Sequence, residues 1–312
     1  MDDFLFALNT VLPLLLLMVT GWFCRRIGLL PDHLVKDVNQ LVYRVFLPVN
    51  LCYSVMNTPY DTEVSGLAFF LISGGLLVQF GFLFLVVPHL EKDRKKIGVM
   101  IQAMGRANYA FFGIPLVAML FPGQDTSLAA LMVTVTVPIY NTMSVIALCI
   151  WGEGEMKPGK IVLNILKNPL IVSSLLGFAL WLLHFQPPAF LKNTMSDLAK
   201  IATPLALFTL GGAIQFSSAK AHVRQLLIVI PWRLFIAPLV FMAICVACGI
   251  RGVALACAFI AFGAPVAVSS YPMAQQMGGD GELAAECVAI SSTLCIFSTF
   301  LFVYAMKSLG LI

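Results

Sequence analysis

The sequence predicts an all-α integral membrane protein whose ten membrane-spanning helices form two inverted five-helix repeats. Three observations carry that prediction. Of its 312 residues, 60% are hydrophobic and only 11% charged, against about 25% charged in a soluble domain, so a water-facing surface cannot be built from it. The apolar residues gather into ten runs of about the 20-residue length that crosses a bilayer as a helix. The pattern F-G-x-P occurs once in each half, as Phe112-Gly113-Ile114-Pro115 and Phe262-Gly263-Ala264-Pro265, at an offset of 150. This composition excludes an ordinary soluble enzyme, a nucleic-acid binder and a disordered chain.

The runs fall at about 4–23, 34–56, 65–88, 97–121, 127–151, 168–185, 196–216, 225–248, 253–276 and 284–306. Backbone groups in hydrocarbon must pair internally, which leaves helices or a closed barrel. A barrel needs alternating hydrophobicity, which Leu14–Leu17 and Leu83–Val87 lack. Run one follows Asp2 and Asp3 and precedes Arg25 and Arg26, the reverse of a cleavable leader, so it reads as a retained span. Run two holds Arg44, Pro48 and Asn50. Run three is free of charge. Run four holds Arg106, Asn108 and the first F-G-x-P, and run five holds Thr134, Thr136, Tyr140 and Asn141. Run six is apolar, run seven holds Pro204, and run eight holds Pro231, Trp232 and Arg233. Run nine carries the second F-G-x-P with Ser269 and Ser270, and run ten opens at Glu286 and continues through Ser291, Ser292 and Thr293.

Lys and Arg alternate in density along the connections: twelve lie in or beside the odd-numbered ones and four, Lys192, Lys200, Arg251 and Lys307, on the other side. The positive-inside rule then puts both termini outside and the odd-numbered connections in the cytoplasm. The domain expectation is a first repeat at 1–151, a cytoplasmic linker at 152–167 and a second repeat at 168–312. Five spans per repeat is an odd number, so the halves enter the membrane from opposite sides. In such folds the substrate site lies near the midplane, where paired broken helices meet.

Proline supplies the expected break. Pro115 has no N–H and its ring clashes with the carbonyl four residues back, so the ladder is expected to fail near 110–114, and likewise before Pro265. Half-helices beginning near Pro115 and Pro265 would then turn unpaired N–H groups and a partial positive charge into a cavity, an arrangement that favours an anion. The bland alternative is two kinked, fully packed helices. The candidate binding residues are Asn108, Tyr109, Gly113, Pro115, Asn141, Gly263, Pro265 and Ser291, with Asn50, Arg106, Ser269 and Glu286 secondary. Asn108 serves equally to bind a carboxylate or to cap its own backbone, and the Asn141 and Ser291 faces serve equally as glue between helices. Arg106 either answers an anion's charge or snorkels to the interface. Glu286 is a candidate for proton or cation coupling, or a group at the membrane margin.

Other chemistry finds little support. Cys245 and Cys248 form a C-x-x-C with no second pair and no nearby His, which reads as packing rather than metal or redox use. H-E-x-x-H and G-x-S-x-G are absent, and no catalytic residue, metal or cofactor is expected.

The motifs taken in order resemble the auxin efflux carrier family, whose bacterial members include malonate and malate permeases. Asn108 to Leu116 is similar to the family's N-x-x-x-x-G-x-P-L, and the stretch through Gly278, Gly279, Asp280, Glu282 and Ala284 to its A-x-x-x-G-G-D-x-E-L-A. Leu41 to Pro48 and Thr203 to Gly211 also fit. The resemblance covers the whole chain. It implies a fold like that of the sodium/bile-acid symporters: helices 1, 2, 6 and 7 as scaffold, helices 3–5 and 8–10 as an elevator-like transport domain, and helices 4 and 9 crossing at their prolines. It further implies a secondary transporter of a mono- or dicarboxylate in a bacterial inner membrane, commonly as a homodimer. The short connection at 152–167 favours a compact permease over the plant carriers with their long loop. Two other readings stand beside it: a sodium-coupled solute symporter, with sodium or a proton as coupling ion, and a non-transporting membrane receptor or scaffold.

Overall fold

A computed structural model describes residues 2–57, 66–122, 124, 127–152, 167–213 and 222–312, except for the side chains of 2–11, 14, 111, 114, 115 and 127. Most of the expected linker, 153–166, lies outside the described residues, as do the basic residues Lys157, Lys160 and Lys220. The described chain is helical, with one isolated antiparallel bridge between Ala107 and Val266.

In order the helices are α1 Asp2–Arg26, α2 Asp32–Leu41, α3 Leu47–Met56, α4 Gly66–Leu90, α5 Arg94–Gly105, α6 Ile114–Leu120 and α7 Ser127–Trp151. They continue with α8 Pro169–Leu182, α9 Ala189–Ala213, α10 Val223–Pro231, α11 Ala237–Ala247, α12 Gly252–Gly263, α13 Ser270–Gln276 and α14 Gly281–Ser308. Among the described residues, three π-helical segments, Val42–Phe46, Tyr109–Gly113 and Trp232–Ile236, lead into α3, α6 and α11. A helix, or a series of helices, thus stands at each of the ten apolar runs. Among the described residues, four helical stretches are individually long and apolar enough to cross a bilayer: Gly66–Leu90, Leu128–Trp151, Val223–Ala247 and Gly281–Ser308.

The π segments share one cause. Each ends two residues before a proline: Phe46 before Pro48, Gly113 before Pro115, Ile236 before Pro238. A proline ring strikes the carbonyl four residues back. A wider i→i+5 turn moves that carbonyl aside and lets the helix continue. The amides of Leu47 and Ala237 accordingly donate to Val42 and Trp232, five residues back.

The interior is centred on α12, in which every side chain from Leu255 to Phe262 is fully inaccessible. A helix that is apolar all round belongs in the middle of a bundle. Against it pack α11, α7 and α4, while α5 packs on α7, α3 on α8, and α1 on α9. The outward faces are apolar as well: Phe70 is 75% exposed, Leu85 72% and Leu227 69%. Apolar surface on this scale is stable against lipid and not against water. This is the surface of an integral membrane protein.

Candidate functional site

The first interruption lies at 106–108, between α5 and the π segment Tyr109–Gly113. The expected gap at 110–114 is not where the ladder fails, because the π turn absorbs Pro115 and places it in the first turn of α6. The second interruption runs from Ala264 to Ser269, between α12 and α13. Here proline acts directly. Ala264 is extended (φ −64°, ψ 154°), as the residue before a proline is driven to be, and α12 ends. One F-G-x-P therefore begins a helix and the other ends one. The half-helices begin at Tyr109 and Ser270 rather than at Pro115 and Pro265.

The two interruptions satisfy each other. Asn108 N–H donates to the Pro265 carbonyl at 2.8 Å, and Ala267 N–H to the Arg106 carbonyl at 3.4 Å. Val266 N–H donates to Ser291 Oγ at 3.0 Å, and Pro265 has no N–H to satisfy. Extended backbone left unpaired at this depth would cost about 1–3 kcal/mol per group, so the two segments form as a pair. At the second half-helix the first amides are also engaged: Ser270 N–H donates to Ala267 O at 2.9 Å and Tyr271 N–H to Val268 O at 3.3 Å. The picture of two sets of bare amides is thus corrected for α13, whose turn consumes its own.

Beside this crossover lies a cavity of about 60 Å³, counted as space for the centres of water molecules. One water needs roughly 10–15 Å³ on that measure, so a few waters or a small solute fit. Leu47, Asn50, Leu51 and Ser54 of α3 form one wall, and Thr203 and Ala206 of α9 another. Val137, Tyr140 and Asn141 of α7 form the third, and residues 106–110 and 267–269 of the two interruptions the fourth.

Arg106 is the notable group. It is 4% exposed and lines the cavity, so it does not snorkel to an interface. Its Nη2 donates to Ser269 Oγ at 2.6 Å, and its Nη1 touches the Met273 sulfur. Among the described residues no carboxylate lies within ion-pair distance of it. Beside it, the Asn108 side chain is 5% exposed, and its amide Nδ2 has no hydrogen-bond partner among the described residues. A buried cation without a counter-charge costs several kcal/mol unless something else answers it. A buried cation and an unspent donor, carried by residues that line one void, can together hold an anion.

The remaining sequence candidates divide. Asn50 lines the cavity but donates to the Ala199 carbonyl at 3.0 Å. Asn141 lines it, with Nδ2 donating to Ser174 Oγ at 3.3 Å and Oδ1 unpartnered. Tyr109 lines it and is 1% exposed. Gly113 and Gly263 act in packing: a Cβ on Gly113 would fall 2.2 Å from Ile260 Cγ2, and one on Gly263 2.8 Å from Phe259 Cε2. Pro265 and Ser291 hold the second interruption in place and do not line the cavity. Pro115 stands in the first turn of α6, and its side chain lies outside the described residues. Glu286 lies elsewhere, 2.9 Å from His222 Nδ1, whose other ring nitrogen is 3.4 Å from Asp280.

Thr203 and Ser54 were not among those candidates. Thr203 was within reach of the sequence, since Pro48 and Pro204 are 156 apart and the same offset carries Leu47 to Thr203 and Asn50 to Ala206. All four of these partners line the cavity.

A family model described as "Membrane transport protein" matches residues 6–303. A protein of Rhizobium meliloti (strain 1021) named "Putative malonate transporter" is 24% identical over 306 residues, covering 96% of this chain and 95% of that one. A protein of Methanothermobacter thermautotrophicus named "Uncharacterized transporter" is 24% identical over 303 residues, covering 95% and 97%. With its helical architecture, apolar outer faces and full-length match, the chain belongs to the membrane transport protein family, that of the auxin efflux carriers, and is an integral membrane transporter rather than an enzyme.

Proposed function

We propose that this protein is a secondary transporter of a small organic anion of the carboxylate class, bound at the crossover between Arg106 and Asn108. The observation that carries the reading is the buried Arg106, a residue that lines the cavity and has no carboxylate partner among the described residues. A carboxylate supplies the missing charge and accepts the unspent Asn108 Nδ2–H. The relative named for malonate transport supports this chemistry.

The ten helical stretches then read as ten spans in two inverted repeats, with both termini outside a bacterial inner membrane. The walls from α3 and α9 belong to a scaffold made of spans 1, 2, 6 and 7. The two interruptions and α7 belong to a transport domain made of spans 3–5 and 8–10. Alternating access follows if the second body slides against the first and carries the crossover with it. The paired interruptions favour transport over the receptor reading, which needs no broken helix.

Flux into proteoliposomes tests the proposal. Wild-type protein is expected to move malonate, malate or a related acid saturably, and Arg106→Gln to lose that flux. Absence of flux for every small carboxylate offered, or an undiminished rate in the variant, would overturn it.

A further inference from the structure

A second arginine sits on the other side of the same crossover. Arg233, in the π segment before α11, is fully buried. Its guanidinium donates to four backbone carbonyls: Ala264 at 2.8 Å, Ala261 at 3.2 Å, and Met104 and Gly105 at 3.4 Å each. Met104 and Gly105 are the last residues of α5, Ala261 lies in the last turn of α12, and Ala264 immediately follows that helix. Gln79 Nε2 and Tyr140 Oη complete the set by donating to Met104 and Ala261. The carbonyl ends of both broken helices therefore converge on one side chain.

The charges balance there. A helix C-terminus carries a partial charge of about −0.5, so two of them present about one negative charge to one guanidinium. Among the described residues no carboxylate shares Arg233. In transporters built on broken helices, such carbonyl ends are where a coupling cation is coordinated. Here that place is filled by the chain itself.

We infer that Arg233 is a resident cation: a positioning residue that replaces a bound metal ion at the carbonyl ends of the crossover and fixes the geometry in which Arg106 meets its anion. The inference rests on the crossover's being the transport site, and its test has an arm that does not depend on flux. An ammonium or sodium ion cannot span four carbonyls as a planar fork does, so the vacancy left by Arg233→Ala is shaped for guanidinium.

The experiment compares wild type, Arg233→Ala and Arg233→Lys in detergent and in proteoliposomes, with millimolar guanidinium or urea added. Arg233→Ala is expected to melt earlier and to transport at roughly a tenth of the wild-type rate or less, the scale set by one unpaired buried carbonyl. Guanidinium, which is charged and of the right shape, should raise both its melting temperature and its flux. Urea, similar in shape but neutral, should raise neither. Wild-type flux should be the same with sodium replaced by choline. If Arg233→Ala does not fold, Arg233→Lys is expected to fold with a lowered melting temperature that guanidinium leaves unchanged, because the ammonium still occupies the place. Wild-type stability in an Arg233→Ala protein, a loss that guanidinium and urea repair equally or not at all, or a sodium requirement in the wild type would overturn the inference. If no carboxylate is transported, the melting arm still decides the role of Arg233.

Discussion

Arg106 and Arg233 are two buried cations of one crossover, and they differ in what their donors have left to do. Arg233 faces the C-terminal ends of α5 and α12 and spends its guanidinium on four carbonyls. Arg106 is held by Ser269 and the Met273 sulfur and belongs to the lining of a cavity. The lesson is that burial and charge alone do not mark a binding group. What marks it is charge that the protein has not already answered.

The sharpest way to break that comparison is Arg106→Gln. Glutamine can still donate to Ser269 while removing the charge. Truncating one partner of a buried charged pair costs about 2–5 kcal/mol, so KM for the transported anion should rise roughly a hundredfold. Melting temperature should hold or increase, since an unanswered buried charge is itself a burden. A fall in melting temperature with an unchanged KM would place Arg106 in the same class as Arg233.

Packing at a distance provides the control. A Cβ on Gly211 would sit 1.9 Å from the Met18 carbonyl oxygen, where α9 crosses α1. Gly211→Ala should therefore cost about 1–3 kcal/mol of stability, read as earlier thermal unfolding, while KM for the anion stays at the wild-type value. Next is Asn108→Ala, which removes one neutral donor worth about 0.5–1.5 kcal/mol. KM should rise by roughly threefold to tenfold, with little change in melting temperature because its Nδ2 has no described partner to lose. The smallest effect is expected from Asn141→Ala. Its Nδ2 is already committed to Ser174, so KM should change by no more than about twofold. A larger change at Asn141 than at Asn108 would move the anion away from Arg106 and toward α7.

Much of the fold was legible because bilayer length and apolar runs are read directly from composition. A helix or helical series stands at each of the ten runs, from α1 at 4–23 to α14 at 284–306. The register of the interruptions was less legible. F-G-x-P has the same letters twice, yet Pro115 is absorbed by a π turn while Pro265 ends its helix. Only the partner segment decides which, by supplying hydrogen bonds at Asn108 and Ala267. Local sequence cannot display a pairing between residues 107 and 266. Asn108 and Asn141 were readable as polar groups in costly surroundings. Arg106 and Arg233 were visible as charges within spans, but their opposite roles depend on which helix ends they meet. Those meetings are properties of the assembled crossover.

A density map of the protein with malonate bound tests the central claim most directly. The account predicts solute density in the cavity within hydrogen-bonding distance of the Arg106 guanidinium and Asn108 Nδ2. Solute held at another place with that cavity empty, or a cavity filled by a lipid tail, would contradict it.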